Sequence, residues 1–260
     1  MSFAPLATGY SIAVTWRQVL VWRKLIWSSL ATNVANPVLM LFGFGFGLGR
    51  FIDTIGGISY LAFVVPGMIA YSAMFAASFE TTIGSYTRYS MQRNWNAVLA
   101  TPVTLPELLF GEVLWAAMKA MLSAVCVFVV GWLWGGIPSV GGALLALSLV
   151  FLAALGFACH GLVATAFAKG YEFFAYFFSF WVTPSFVFSG VFFEIDRFPA
   201  AVQAIAWALP LTHLVAVIRP LTAGQPLDPA MAALHIGYTI ALTTAAFGLA
   251  LWRIRRRMFD

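Results

Sequence analysis

Charged residues are scarce in this chain of 260 residues: Asp, Glu, Lys and Arg together make up 9% of it. Soluble domains carry roughly 25%. Hydrophobic residues reach 62%, so the chain cannot cover a water-facing surface and most of it must lie in lipid. The composition therefore excludes a soluble globular protein. The net charge of +5 indicates cytoplasmic loops rich in Lys and Arg, and no nucleic-acid partner is expected.

Motifs for ATP binding and for catalysis are also missing. No GxxxxGK[ST] occurs, so the chain lacks a P-loop for ATP phosphates. His160, His213 and His235 are scattered, and no HExxH or Ser/His/Asp arrangement is visible. Cys126 and Cys159 lie in apolar runs without CxxC spacing, which predicts free thiols and no zinc site. We expect no catalytic residue, metal or cofactor in this chain, and an intramembrane enzyme is a remote alternative.

The uncharged runs are long enough for six membrane-spanning helices of about 20 residues each. Glycines and Pro138 in the stretch GGIPSVGG divide the longest run into two spans. The predicted spans cover about 34–50, 60–84, 108–134, 141–168, 173–193 and 230–252. We therefore predict an all-α polytopic membrane protein with an N-terminal part at 1–32 and a transmembrane domain at 33–258.

The distribution of Lys and Arg predicts the orientation. Six spans place both termini on one side of the membrane. With that side inside, the outer segments hold only Arg50, Arg197 and Arg219. The inner segments hold ten basic residues, namely Arg17, Arg23, Lys24, Arg88, Arg93, Lys169, Arg253, Arg255, Arg256 and Arg257. Because cytoplasmic loops carry the excess of positive charge, both termini are predicted to be cytoplasmic.

A basic and aromatic segment at 8–30 precedes the first span. Arg17 and Lys24 fall on one helical stripe, and Trp16 and Trp27 lie largely on another. This pattern predicts an amphipathic helix in the inner membrane interface. An early extension of the first span is the alternative, because the two faces are only modestly separated.

Two short apolar helices are predicted on the outer side, within about 196–219. The first covers Ala200–Leu209 and ends at Pro210, and the second is capped by Thr212 and ends at Arg219. Each is about half the length of a crossing, so the pair is expected to dip into the outer leaflet and return as a gate. Two helices lying flat on the surface are the alternative. The candidate gate residues are Glu194, Asp196, Pro199, Pro210, His213 and Arg219.

A polar patch, RNWNAVLATPVTLPELLFGE, interrupts the apolar chain between the second and third spans. Residues 93–100 can form two turns of helix that end before Pro102, and Glu107 suits the first turn of the third span. This predicts a short helix that docks a partner. A solvated loop is the alternative, although it would not need the apolar residues. The candidate contacts are Arg93, Asn94, Trp95, Asn96, Val98 and Leu99.

Three charged residues, Glu80, Glu112 and Lys119, fall inside the predicted spans. Lys119 lies near mid-depth of the third span, and Glu112 is too far along the axis to pair with it directly. Trp115 lies between them and can stack on Lys119. Glu80, at the inner end of the second span, is expected to face the membrane interface. Structural anchoring and lining of a transport pathway both stay open for Lys119.

Aromatic and glycine residues have two further patterns. Aromatic residues crowd the fifth span, where Pro184 predicts a kink. Such a wall suits acyl chains and sugar faces, with lipid-facing bulk as the alternative. The possible pathway residues there are Phe177, Phe178 and Trp181. In GFGFGLGR the spacing of Gly43 and Gly47 favours close helix packing over nucleotide binding.

These features together resemble the permeases of ABC-2-type exporters over about residues 10–258. The motifs are LATPVTLPELLFGE after the second span and SGVFFEIDRFPAAVQAIAWALPLTHLVAVIRP after the fifth. The resemblance implies a subunit of the bacterial inner membrane that pairs with a second copy of itself. It also implies two copies of a cytoplasmic ATPase, which would bind the ATP and Mg. By the same resemblance, residues 93–100 are the coupling helix and 196–219 are re-entrant elements.

Three shorter segments narrow the resemblance within the family. SAMFAASFET, GEVLWAAMKA and LHIG are similar to permeases assigned to the export of acylated oligosaccharides. The implied function is outward movement of a lipo-oligosaccharide or a glycolipid-like substrate. An exporter of drugs or other small amphiphiles with the same fold is the alternative.

Overall fold

The computed structural model describes residues 9–26, 35 and 37–259. Helices dominate the described chain, with one two-stranded hairpin formed by β1 (Thr54–Ile55) and β2 (Ile58–Ser59). Gly56 and Gly57 form its turn with positive φ angles, a conformation that favours glycine. The helices are α1 Gly9–Trp22, α2 Pro37–Arg50, α3 Tyr60–Met91, α4 Asn94–Leu99, α5 Leu105–Leu133, α6 Val140–Phe167, α7 at 172–188, α8 Ala200–Ala208, α9 Pro210–Ala223 and α10 Pro229–Phe259.

Four described helices, α3, α5, α6 and α10, are long and apolar enough to cross a membrane. They confirm four predicted spans, although α3 continues to Met91 and α10 to Phe259. The predicted spans at 34–50 and 173–193 correspond to α2 and α7, which are helical but shorter. Helices α8 and α9 meet at 87° and together amount to a broken span or a re-entrant loop. The described residues thus hold four to five apolar spans, and the count of six stays a prediction.

Helix α3 is the centre of the bundle. It packs against α5, α6 and α9, whereas α10 packs mainly against α6. In the most apolar part of α3, 89% of the residues are buried, against 17% in α10. Gly161 allows α6 to approach α3 closely, because a Cβ there would lie 2.2 Å from Thr81 Oγ1. A group placed on α3 is therefore enclosed by the other spans.

Helix α1 lies against the start of α5 through a polar stripe. Thr15 donates from Oγ1 to the Gly111 carbonyl at 3.1 Å, and Gln18 is also buried there. Tyr10, Ile12, Trp16 and Val21 are exposed. The predicted helix is confirmed for Gly9–Trp22; these four apolar side chains point away from the protein, whereas Val14 is buried and Trp22 contacts the Trp115 ring. Trp27, which was predicted on the same helix, lies outside the described residues.

Helix α7 ends earlier than the sequence predicted. It contains a wide π-helical turn at Phe178–Val182, directly before Thr183 and Pro184. Proline has no amide hydrogen to donate, and a widened turn accommodates that loss. The helix stops at Phe188 instead of 193, because Gly190 takes a positive φ of 72° and redirects the chain.

The outer helix pair exists, with boundaries that differ from the prediction. Pro210 begins α9, where its missing N–H costs nothing, and Thr212 is inside the helix instead of capping it. Pro220 does not end α9 either. The helix continues to Ala223 and stops at Gly224, which has a positive φ of 70°.

Candidate functional site

Four charged side chains meet between α3 and α5. This ion cluster consists of Glu80 and Arg88 of α3 and Glu112 and Lys119 of α5. Arg88 bridges the two carboxylates, with Nη1 2.8 Å from Glu80 Oε1 and Nη2 2.5 Å from Glu112 Oε2. Lys119 Nζ lies 2.8 Å from Glu80 Oε2. The two positive and two negative charges balance, so the cluster is neutral as a whole.

Glu112 is the most enclosed member of the cluster, with a fully buried side chain. Besides Arg88, its carboxylate accepts hydrogen bonds from Ser85 Oγ at 2.7 Å and Gln18 Nε2 at 3.0 Å. Trp95 Nε1 donates to it at 3.3 Å. A single carboxylate thus joins α1, α3, α4 and α5.

Glu80 is a buried partner in the cluster, which corrects the prediction that it faces the membrane interface. Trp115 also differs from its prediction. Its indole Nε1 donates to Glu80 Oε1 at 2.9 Å, whereas the sequence predicted stacking on Lys119. Lys119 pairs with Glu80 and not with Glu112, as the helix spacing required. It lines none of the grooves described below, and its role in a transport pathway stays a prediction.

The shape of α3 makes room for the cluster. The helix widens into π turns at Glu80–Gly84 and Thr87–Met91, which flank Ser85 and precede the exit of the chain toward α4. Such π turns often occur at functional sites. A Cβ on Gly84 would lie 2.8 Å from Glu80 Oε1, so a larger residue would displace the carboxylate.

Buried charges are expensive unless they are paired. Removing one member of a buried pair commonly costs about 3–5 kcal/mol, because the remaining charge is uncompensated. Charges within spans are rare and usually functional. Hydrophobic residues would fill the same space without the free-energy cost of burying charge. The cluster is therefore the strongest candidate functional site in the described chain.

The short helix α4 sits directly on this cluster. It confirms the helix predicted at 93–100, as Asn94–Leu99, and follows Arg93, the only described non-glycine residue with a positive φ. Trp95 is completely buried and lies 5.1 Å from the Tyr89 ring. Its side chain is therefore an internal anchor, which corrects its prediction as a surface contact. Asn96 is exposed, and Val98 and Leu99 are half-buried.

A second contact ties α4 to α1. Arg17 Nη1 donates to Asn94 Oδ1 at 2.5 Å. Burial lowers the pKa of Arg17, and Glu112 opposes that shift. The guanidinium stays charged throughout the physiological range. The interface helix and the short helix therefore share both Glu112 and this direct bond.

The basic end of α10 lies at the same end of the bundle. Arg257 Nη1 donates to the carbonyls of Thr165 and Ala166 at 3.3 and 3.4 Å, and its guanidinium lies over the Tyr89 ring. Tyr89 also contacts Trp95. Arg17 of α1, Arg93 directly before α4 and Arg257 of α10 consequently lie at one end of the molecule.

The predicted gate residues form separate groups at the opposite end. Arg219 donates from Nε to the Phe63 carbonyl at 3.0 Å and from Nη2 to the Gly190 carbonyl, and it lies over the Phe63 ring. Glu194 pairs instead with Arg197 at 2.8 Å on the exposed surface. Asp196 lies in the turn Ile195–Arg197, while Pro199 precedes α8 and Pro210 begins α9.

His213 connects the outer pair to α10. Its Nδ1 lies 2.8 Å from His235 Nδ1, and its Nε2 lies 2.8 Å from the Trp207 carbonyl. Because Nε2 must donate to that carbonyl, a neutral His213 accepts at Nδ1 and His235 donates. Tyr238 stacks on His213 and donates to the Ala208 carbonyl at 2.8 Å. Neither histidine bonds to Arg219. The predicted gate residues His213 and Arg219 therefore belong to two separate sets of contacts.

The aromatic residues of α7 face two grooves. Phe178 lines a groove of about 350 Å³ between α3 and α7, together with Tyr71 and Phe186, whose rings stack 3.8 Å apart. Phe177 and Trp181 line a different groove between α6, α7 and α10. The predicted wall is therefore two-sided, and its three candidate residues do not share one space.

Helix α2 packs within the described chain through a different glycine from the two that the sequence predicted. A Cβ on Gly43 or Gly47 would meet nothing within 4 Å, whereas one on Gly45 would lie 2.9 Å from Leu61 Cδ1. Gly45 therefore packs against α3. Gly43 and Gly47 border an exposed apolar groove, and within the described chain they pack no helix.

Metal ligands are also dispersed. Residues 9–26, 35 and 37–259 contain no group of three or more His, Cys, Asp or Glu side chains able to hold a metal ion. Cys126 is half-buried and Cys159 is buried, both as free thiols.

Sequence reasoning missed Arg88, Gln18 and Ser85 as members of the site. The available signal was the presence of Glu80, Arg88 and Glu112 at the borders of otherwise apolar runs. Gln18 and Ser85 gave no comparable signal, because isolated uncharged polar residues are common in helices.

Apolar spans surrounding a buried ion cluster, with a polar surface helix resting on it, define a polytopic helical membrane protein. The sequence model described as ABC-2 type transporter matches residues 11–221. The chain therefore belongs to the ABC-2 type transporter family. Members of this family are transmembrane transporter subunits, so the predicted family is confirmed.

Individual relatives agree with this assignment. Nodulation protein J of Rhizobium meliloti (strain 1021) is 38% identical over 253 residues, covering 97% of this chain and 95% of the relative. Nodulation protein J of Rhizobium leguminosarum bv. viciae is 39% identical, with 97% and 96% covered. The inner membrane transport permease YadH of Escherichia coli (strain K12) is 26% identical, with 75% of each chain covered.

Proposed function

We propose that this chain is the permease subunit of an ATP-driven exporter and that α4 is its coupling helix. The observation that carries the proposal is the position of α4, whose exposed side is available to a partner while Trp95 reaches Glu112 inside the bundle. The partner is a NodI-like cytoplasmic ATPase in two copies, which supplies the ATP and Mg site that this chain lacks. Two copies of the permease complete the transporter.

Force on α4 has a continuous route into the spans. Trp95 moves against Glu112, and Arg88 then links Glu112 to Glu80. Glu80 holds Lys119 and Trp115 deeper in α5. Because the two carboxylates share one guanidinium, a shift of Arg88 toward either carboxylate produces two discrete arrangements. Discrete arrangements of packed helices are the usual basis of conformational switching.

The α4 end is proposed to face the cytoplasm. Arg17, Arg93 and Arg257 lie on elements gathered at this end, and an excess of Lys and Arg marks the cytoplasmic side of membrane proteins. This orientation puts both termini inside and the α8–α9 pair outside, in the bacterial inner membrane. At that outer position Arg219, His213 and the 87° bend form the proposed gate.

The proposed substrate is a lipo-oligosaccharide or a similar glycolipid. Its support is the family resemblance to nodulation proteins and the aromatic groove between α3 and α7. Stacked aromatic rings such as Tyr71 and Phe186 offer flat surfaces to sugars and apolar contact to acyl chains. A small amphiphile is the second candidate substrate, because most of the lining of this groove is apolar, with Tyr71 and Thr183 as its polar side chains.

The second copy is proposed to contact α2. Leu39, Phe42 and Phe51 are exposed large hydrophobic side chains, and Gly43 and Gly47 leave an open groove beside them. Small residues at helical spacing allow helices to approach closely in lipid.

Reconstitution with the partner ATPase tests the proposal. Ala97 is exposed on α4, so Ala97→Glu should reduce co-purification of the ATPase while the permease stays folded. Trp95→Phe keeps the buried ring but removes the bond to Glu112, so it should retain the ATPase and uncouple its hydrolysis from export. Arg255→Gln, an exposed change at the same end, is the matched control.

Two results would contradict the proposal. Undiminished ATPase binding by Ala97→Glu would show that α4 is not the docking element. Substrate turnover by the permease without any ATPase would support the remote alternative of an intramembrane enzyme. Stimulation of ATP hydrolysis by amphiphilic drugs, and not by glycolipids, would support the second candidate substrate.

A further inference from the structure

An apolar groove lies between α6, α7 and α10, on a different side of α7 from the proposed pathway. Its volume is about 540 Å³, within the roughly 300–1,000 Å³ typical of small-molecule sites. Each helix contributes a stripe at helical spacing, including Phe167 of α6, Tyr176 and Phe180 of α7, and Ala245 and Leu249 of α10. The lining is shaped for an apolar chain and lacks the polar groups that an oligosaccharide needs.

A positively charged side chain, that of Arg253, lies at one end of this groove. Arg253 follows Leu249 by four residues and therefore continues the same face of α10. Its guanidinium carbon lies 5.3 Å from the centroid of the Phe167 ring, which lines the groove. Its Nε is buried and has no hydrogen-bond partner within the described chain. A buried N–H without an acceptor is costly, so this position favours a ligand that brings an acceptor oxygen.

The other end of the groove holds His160. Both of its ring nitrogens are buried and lack hydrogen-bond partners among the described residues. The ring lies 5.3 Å from that of Trp181, which also borders the groove. The groove thus combines a long apolar wall with unpartnered polar groups at its two ends.

We propose that this groove binds an anionic phospholipid of the surrounding membrane. The acyl chain lies along the aromatic face of α7, and the phosphate meets Arg253, whose planar guanidinium matches phosphate oxygens. Lys169, exposed two residues after Phe167, adds positive charge to the rim, and the exposed Glu172 subtracts from it. The remaining charge is positive, which favours an anionic headgroup over a zwitterionic one.

The bound lipid would act as a packing partner for α10. This helix is the least buried of the apolar spans, and its main contact within the chain is α6. A lipid in the groove would contact α6, α7 and α10 together. The site is therefore distinct from the proposed substrate groove on the α3 side of α7, and it does not depend on ATP or on transport.

Lipid titration with native mass spectrometry tests the headgroup contact. The full chain is titrated with dioleoyl phosphatidylglycerol, and with dioleoyl phosphatidylcholine as a probe with the same chains. Arg253→Gln should weaken phosphatidylglycerol binding about tenfold, the factor that corresponds to losing a charge-assisted hydrogen bond. Arg255→Gln removes an equal charge on the opposite face of α10 and should leave the affinity unchanged. Equal affinities for the two variants would overturn the proposal.

Photolabelling tests the acyl position. A phosphatidylglycerol with a diazirine in its acyl chain should label peptides of α6, α7 and α10 that border the groove. Ala245→Trp fills the groove and should remove the label, whereas Thr244→Trp, beside it but outside the lining, should retain it. Labelling that is insensitive to Ala245→Trp would show bulk lipid only. Competition by acyl-free glycerol phosphate would show a free phosphate site instead, and both results contradict the lipid proposal.

Discussion

Arg88 and Arg219, two buried cations at opposite ends of the bundle, are held by different kinds of contact. At the α4 end, side chains pair with side chains, and Arg88 bridges Glu80 and Glu112. At the α8–α9 end, Arg219 bonds to the backbone carbonyls of Phe63 and Gly190. Side chains can exchange partners by rotating, whereas a backbone carbonyl is fixed by its own helix or loop. The comparison indicates exchangeable partners for Arg88 and fixed partners for Arg219.

Burial strengthens the difference. Glu112 has a fully buried side chain, and Arg88 and Glu80 have side-chain exposures of only 13% and 7%. The ion pair at the opposite end, Arg197 with Glu194, is exposed by 71% and 33%. Buried charges depend on their partners, while exposed ones are solvated by water. The following changes should therefore separate the two ends by the size of their effects.

Removing the charge at the centre of the ion cluster should have the largest effect. Glu112→Gln leaves Arg88 without its main partner and should lower the free energy of unfolding by about 3–5 kcal/mol. Equilibrium unfolding in mixed micelles with SDS measures the change. Glu172→Gln, an exposed carboxylate on α7, serves as the control. A loss below about 1 kcal/mol, the range of exposed pairs, would show that the cluster is not tightly coupled.

Replacing Arg219 at the α8–α9 end should lower the free energy of unfolding by a smaller amount. Arg219→Lys keeps the positive charge, but an ammonium cannot reproduce the fork that reaches both carbonyls. We expect a loss of about 1.5–3 kcal/mol, the range for a hydrogen bond to a charged group. The same unfolding measurement applies. Full stability in this variant would mean that the two carbonyl contacts are dispensable.

The start of α5 offers a smaller change at the α4 end. Thr104 and Glu107 form a capping box, in which the Thr104 backbone N–H donates to Glu107 Oε2 at 2.8 Å. Thr104→Ala removes the side-chain cap and should cost about 1 kcal/mol. A change as large as that of Glu112→Gln would place the cap within the ion cluster, contrary to the observed contacts.

The surface ion pair at the outer end should have the smallest effect. Arg197→Ala should alter stability by less than about 1 kcal/mol, because both charges are solvated once separated. A salt titration provides an independent check. The difference in stability between the wild type and Arg197→Ala should shrink further at high ionic strength, because salt screens exposed charges. A large, salt-insensitive loss would indicate a contact of Arg197 that the present geometry does not include.

Local patterns account for the predictions that the structure confirms. The apolar runs at 108–134 and 141–168 became α5 and α6 because their length and composition leave few alternatives in lipid. The short helix before Pro102 and the position of Glu107 in the first turn of α5 depend on neighbouring residues alone. Proline was less informative. Pro210 begins a helix, where its missing N–H costs nothing, and Pro220 lies inside the same helix without ending it.

Trp95 and Glu80, two residues of the ion cluster region that were wrongly predicted to face outward, share one property: their partners are remote in the chain. Trp95 looked like a surface aromatic, yet its partner Glu112 lies 17 positions away. Glu80 looked like an interface residue, yet it bonds Trp115 and Lys119 at separations of 35 and 39. No periodicity within one helix reveals which face of another helix will oppose it.

The membrane environment, the four long spans and the existence of α4 were determined by the sequence alone, because each follows from the composition or spacing of adjacent residues. The family could also be recognised from continuous motifs. Only the tertiary structure decided that Glu112 joins Arg88, Gln18 and Trp95, at separations between 17 and 94 residues. Packing of α1, α3, α4 and α5 brings these side chains together, and the cost of burying charge then selects the pairs that neutralise one another.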